Sequence, residues 1–210
     1  MNADAIIIKK RKEKIKMTYN IKKEKEVIFT LFNRYENLIL NSQKYVIFSF
    51  PEECKIKNLL RLAEEINKNA YQYPKDKLCR WIGYIHGVLF TYNSFDSDII
   101  KSIFLFDNSL TYENIIEKSK KIENLLKFSE NFKYCSGISL SYKEKENILN
   151  LISDTYEGFD KGYYSSIYQH QVLGYIQGIM ACFSIINVKE ERDYTRPLLH
   201  SYHEEKIKSF

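Results

Sequence analysis

Arg192 and Arg196 lie four residues apart in the stretch "ERDYTRPLLHSYHEE", Glu191 to Glu205, and on a helix they share a face. Two guanidinium groups so placed can hold a phosphate or a carboxylate through paired hydrogen bonds. The structural alternative is that Arg192 pairs with a nearby acid, Pro197 kinks the helix, and Leu198 and Leu199 pack on the core. In the same stretch His200 and His203 stand three apart with Glu204 adjacent, a spacing that fits a metal ion on one helical turn. No third cluster of ligands accompanies them, so the sequence assigns neither a metal nor a cofactor.

Other polar groups sit inside apolar runs. Arg80 joins Arg192 and Arg196 as a candidate for phosphate contacts. His86 stands in "GYIHG" where Gln177 stands in "GYIQG". An exchange of imidazole for amide points to a hydrogen-bonding group and away from a proton-transfer catalyst. His170 is expected at a partly exposed helix position. Tyr84, Tyr163, Tyr164, Tyr168 and Tyr175 could stack on nucleobases, although tyrosine more often lines the edge of a core with its hydroxyl in water. The chain has no Walker loop, Rossmann glycine run, His-Glu-x-x-His motif or nucleophile elbow. It therefore reads as non-enzymatic, and its binding candidates are Arg80, Tyr84, His86, Tyr175, Gln177, Arg192, Arg196 and His200.

The elements that must position these residues come in two similar sets. "GYIHG" (Gly83 to Gly87) returns 91 residues later as "GYIQG" (Gly174 to Gly178), in a chain with seven glycines. "YENLILNSQKY" (Tyr35 to Tyr45) is matched by "IENLLKFSENFKY" (Ile122 to Tyr134), and "KNLLRLAEEI" (Lys57 to Ile66) by "ENILNLISDTY" (Glu146 to Tyr156). Three matches in the same order, at offsets that grow slowly from 87 to 91 residues, point to duplication. Each half reads as four helices. The second helix of each opens on a capping box, Ser49-x-x-Glu52 and Ser141-x-x-Glu144, with Pro51 in the first turn, where its missing amide hydrogen is harmless. The fourth begins at Ser97-Asp98 in one half and about Lys189 in the other. "YVIFSF" (Tyr45 to Phe50) is the one convincing strand signal, and three prolines are too few for the turns of an all-β fold. The expected fold is all-α: two tandem copies of a roughly 90-residue four-helix unit, packed through glycine-bearing third helices. The divisions are a basic N-terminal tail, 1–23, a first repeat, 24–107, and a second, 108–210.

A glycine inside a helix costs about 1 kcal/mol relative to alanine. Gly83 and Gly87 share one helix face, as do Gly174 and Gly178, and the absence of side chains there lets another backbone approach. Each third helix is expected to be central, with Trp81, Ile82, Ile85, Val88 and Leu89 filling the core around one and Leu173, Ile176, Ile179 and Met180 around the other.

Charge and composition set limits on function. Nine of the 32 Lys and Arg residues, against three acids, lie in residues 1–25, leaving 23 basic and 24 acidic groups elsewhere. Basicity thus belongs to the tail, which reads as a solvated or frayed segment; a nucleic-acid arm is the weaker alternative. Cys54, Cys79, Cys135 and Cys182 are widely spaced and suggest buried thiols in a reducing cytoplasm. No apolar run approaches the length of a membrane span, and the leader does not read as a signal peptide. Self-association is left open.

From "GYIQG" onward the sequence resembles the C-terminal part of many small proteins of tailed bacteriophages, in which Arg-Trp-x-Gly-Phe-x-Gln-Gly precedes a segment like Asp-Glu-x-Arg-Asp-x-Thr-Arg-Pro-Leu-x-His. The match lies at Glu191, Arg192, Asp193, Thr195, Arg196, Pro197, Leu198 and His200. The Arg-Trp element departs: it stands in the first half as Arg80-Trp81, where the second has Gln171-Val172. The resemblance implies a phage accessory protein acting in the cytoplasm of an infected host, and no particular chemistry. The expectation is binding to a host protein, one connected with antiviral defence. Sequestration of a small phosphorylated, nucleotide-type ligand between the halves comes second, and nucleic-acid binding through the tail third.

Overall fold

Apolar residues recur at helical spacing along most of the chain, and helices dominate accordingly. The computed structural model describes the backbone of residues 3–42, 46–47, 49–92, 105–127 and 138–207, and the side chains of 22–42, 47, 49–92, 105–127 and 138–199. The described helices are α1 (Ala3–Asn41), α2 (Ile56–Asn69), α3 (Lys75–Tyr92), α4 (Tyr112–Lys127), α5 (Tyr142–Asp160), α6 (Ser166–Cys182) and α7 (Val188–Ile207). α1 continues unbroken through residue 23, so from Ala3 onward the basic segment belongs to a helix. A fourth helix opening at Ser97-Asp98, and Cys135, fall outside the described residues.

The expected strand shrinks to β1 (Val46–Ile47), which pairs antiparallel with β2 (Ile138–Ser139), Val46 opposite Ser139 and Ile47 opposite Ile138. The second capping box forms: Ser141 Oγ accepts from the Glu144 amide at 3.2 Å, and Glu144 Oε2 accepts from the Ser141 amide at 2.6 Å. The first does not. Pro51 caps a 3-10 turn, Glu52–Cys54, and α2 opens only at Ile56 with no side-chain cap. The Glu52 carboxylate turns to Lys55 instead of the Ser49 amide.

α3 and α6 form the centre. A methyl group on Gly83 would overlap the carbonyl oxygen of Gln171, and one on Gly174 that of Arg80. The same holds for Gly87 against Tyr175 and for Gly178 against Tyr84. The contact is therefore reciprocal: each helix offers two glycines to two carbonyls of the other. Such close approach leaves no space for side chains between the two backbones, which is the physical reason for four helical glycines.

Ile82, Ile85, Val88 and Leu89 on α3 and Leu173, Ile176, Ile179 and Met180 on α6 are buried as expected. α1 covers one side with Ile28, Leu31, Phe32, Tyr35 and Ile39; α2 and α4 pack together through Leu59, Ala63 and Ile66 against Ile115, Ile122 and Leu126. Burial of these large apolar side chains supplies most of the driving force for folding. Two residues beyond the end of α6, Ser184 has a left-handed φ of 54° and turns the chain toward α7.

Candidate functional site

A cavity of about 670 Å³ opens beside the α3–α6 pair. α3 supplies Lys77, Arg80, Trp81 and Tyr84, α6 supplies Gln177, and α7 supplies Glu191, Arg192, Thr195 and Arg196, with Leu62, Ile186, Val188 and Leu199 as apolar wall. Helical spacing does this work: Lys77, Arg80, Trp81 and Tyr84 recur every three or four residues along one face of α3, and Arg192, Thr195 and Arg196 along one face of α7.

Four cations meet at this cavity with one acid, and that acid is committed elsewhere. Glu191 is buried and accepts from the Tyr35 hydroxyl at 2.6 Å and from Arg34 at 3.1 Å, while Gln177 donates to the same hydroxyl at 2.6 Å. Arg34 also lies over the Tyr194 ring, 4.4 Å from its centre. Burial and the Glu191 charge hold the Tyr35 hydroxyl well above its ordinary pKa, so it stays a donor.

Arg80 donates from Nη1 to His170 Nδ1 at 2.9 Å. Among the described residues it makes no ion pair with a carboxylate. Burial draws its pKa down, opposed chiefly by Asp76. Lys77 lies over Tyr73, 4.1 Å from the ring centre, and over Trp81 at 4.8 Å; burial, then repulsion from Arg80 and Arg196, lowers its pKa. Arg192 and Arg196 are exposed at the rim. Arg192 approaches Asp193 at 3.8 Å, a pairing too solvated to neutralise it. Trp81, expected in the core, is half-buried and forms cavity wall, its indole edge-on to Tyr73 with ring centres 5.0 Å apart.

Behind Arg80 lies a group that no motif announced. His170, expected near the surface, is fully enclosed, and Glu24 of α1 and Asp76 of α3 are buried beside it. Polar atoms of the three lie within 4.8 Å of one another, the closeness a metal site needs. The proton arrangement decides what the imidazole can do. A guanidinium only donates, so Nδ1 must accept from Arg80; the neutral ring then carries its hydrogen on Nε2. That nitrogen faces Glu24 Oε1 at 3.4 Å and Asp76 Oδ2 at 3.7 Å, both long for hydrogen bonds. In this state the ring has no lone pair left for an ion. Ser166 donates to Glu24 and anchors it.

The other flank of the α3–α6 pair is filled. Phe106 packs among His86, Tyr168 and Tyr175, with centres 5.5 to 5.6 Å apart, and leaves no space for a water molecule. Gln171 donates to the Asp107 carbonyl at 2.8 Å and clips this loop down. Lys118 pairs with Asp107. Burial, with the Lys118 charge beside it, pushes the His86 imidazole down to about 3. Of the eight binding candidates, Arg80, Tyr84, Gln177, Arg192 and Arg196 thus come together at the cavity. His86 and Tyr175 lie on the closed flank. The side chain of His200 falls outside the described residues.

Sequence reasoning missed Glu24, Asp76 and His170 because three helices assemble them from positions far apart in the chain. One signal pointed to His170: the apolar residues of α6 are not confined to one face, the mark of a helix buried all round. The chain matches no protein-family model, no curated protein and no solved structure.

Proposed function

We propose that the protein binds and sequesters a small phosphate-bearing ligand, of nucleotide type, in the cavity between α3, α6 and α7. The observation that carries this reading is Arg80: a guanidinium in the cavity wall whose hydrogen-bond partner is a neutral imidazole and not a carboxylate. An enclosed cation held in no direct ion pair is costly, and an anionic ligand in the cavity supplies the missing partner. Lys77, Arg192 and Arg196 extend the positive field, and Trp81 and Tyr84 offer ring surface for a base.

The internal duplication belongs to the same reading. The reciprocal glycine contacts support it, since Arg80 with Gln171 and Tyr84 with Tyr175 stand at the same 91-residue offset as the glycines. A phage accessory role against host defence remains the setting in which sequestration makes sense. Small-ligand capture ranks above the host-protein binding that the sequence put first, because charge and aromatic surface converge on a cavity instead of on an open apolar face.

Calorimetric titration in low salt with nucleoside mono- and diphosphates, cyclic mono- and dinucleotides and inorganic pyrophosphate tests the reading. At least one should bind with a dissociation constant in or below the micromolar range, and Arg80→Gln should weaken it at least tenfold. Absence of heat and of thermal stabilisation across the whole panel, at millimolar ligand, would refute it.

A further inference from the structure

Arg80 has two buried carboxylates within its electrostatic reach, Glu24 and Asp76, yet forms an ion pair with neither. The His170 ring stands in the way: Nδ1 meets the guanidinium at 2.9 Å, and the opposite edge meets the carboxylates at 3.4 and 3.7 Å. We propose that His170 is a positioning residue for ligand binding, a spacer that keeps the Arg80 guanidinium turned toward the cavity and prevents its collapse onto Glu24 and Asp76. This deepens the sequestration reading and rests on it.

The chemistry favours a spacer of this type. Histidine offers an acceptor on one edge and a donor on the other in a single rigid ring, so it accepts from the cation and turns its N–H toward the anions while holding the two apart. Its own neutrality is supported by burial and by the Arg80 charge, against the pull of Glu24 and Asp76. With one guanidinium hydrogen engaged by His170, the remaining donors stay available for an incoming phosphate. Without the spacer, a direct Arg80–carboxylate pair would form in an enclosed site, where such attraction is strong, and the cavity would lose its deepest cation.

Two substitutions separate the edges of the ring. His170→Asn keeps an acceptor near the Nδ1 position; His170→Gln reaches the Nε2 position, facing the carboxylates, but gives Arg80 no acceptor at Nδ1. Pyrophosphate titration should find His170→Asn within about threefold of the wild type and His170→Gln weakened about tenfold. The double variant Arg80→Gln/His170→Gln should be no weaker than Arg80→Gln alone. If Arg80→Gln weakens binding while His170→Gln does not, the spacer role is wrong and the cavity reading stands. If Arg80→Gln itself has no effect, the cavity reading fails first. Nitrogen-15 spectra of the wild-type imidazole give a check independent of any variant's folding: the hydrogen must be on Nε2, and a hydrogen on Nδ1 would overturn the proposal.

Discussion

Gly83 lies so close to the carbonyl oxygen of Gln171 that one added carbon would overlap it, and that oxygen belongs to helix backbone, which cannot turn aside. The same relation recurs at Gly87, Gly174 and Gly178. Gly83→Ala gains about 1 kcal/mol of helix propensity, yet it must push two central helices apart and is expected to lose about 3 kcal/mol net. Gly87→Leu and Gly178→Leu should lose more. Urea denaturation decides: a Gly83→Ala protein as stable as the wild type would show that α3 and α6 are not in backbone contact.

Stability should fall with acid before the carboxylates titrate. His86 is neutral in the folded protein down to about 3 but takes up a proton near 6.5 when unfolded. A folded pKa below the unfolded one means that the unfolded chain binds the extra proton as pH drops, so folding weakens from 6.5 downward. The loss from His86 between pH 6.5 and about 5 is about 1.5 kcal/mol, and His170, depressed in the same direction by burial, adds to it. His86→Gln, the residue at the corresponding position of α6, should flatten the profile in denaturation series at matched ionic strength.

Arg196, like Arg80, crowds Lys77 with like charge. In ligand-free protein, Arg196→Gln should therefore leave stability unchanged or raise it by about 0.5 kcal/mol, while weakening pyrophosphate about fivefold. A variant that loses stability and affinity together would make Arg196 a structural residue.

Glu191 is buried and engaged by both Arg34 and the Tyr35 hydroxyl. Glu191→Ala leaves that hydroxyl without its acceptor and should cost about 3 kcal/mol. Tyr35→Phe on top of it should add less than it costs alone, since the partner has gone. Additive losses in a double-mutant cycle would place the two residues in separate networks.

The parts of this architecture that were legible in the sequence are those written within one element. Paired glycines four apart, the Ser141 capping box and the shared face of Arg192 and Arg196 follow from helix periodicity alone. Ser49-x-x-Glu52 has the same letters as Ser141-x-x-Glu144 but fails, because Pro51 leads into a 3-10 turn and Lys55 draws the Glu52 carboxylate away. Trp81 shows another limit. Spacing places it on an inward face, and an inward face can border a cavity as well as a core. Glu24, Asp76 and His170 lie on three helices, and their meeting depends on how those helices cross, which no local pattern encodes.

Phe106 blocks one flank of the central helix pair while the other stays open. In an assembly of identical subunits, any change at one flank is copied to its mate, so both close or both remain available. Here the two flanks are written by separate codons. Mutation can reshape the vacant side without disturbing the plugged one, so the cavity and the filled flank are free to diverge.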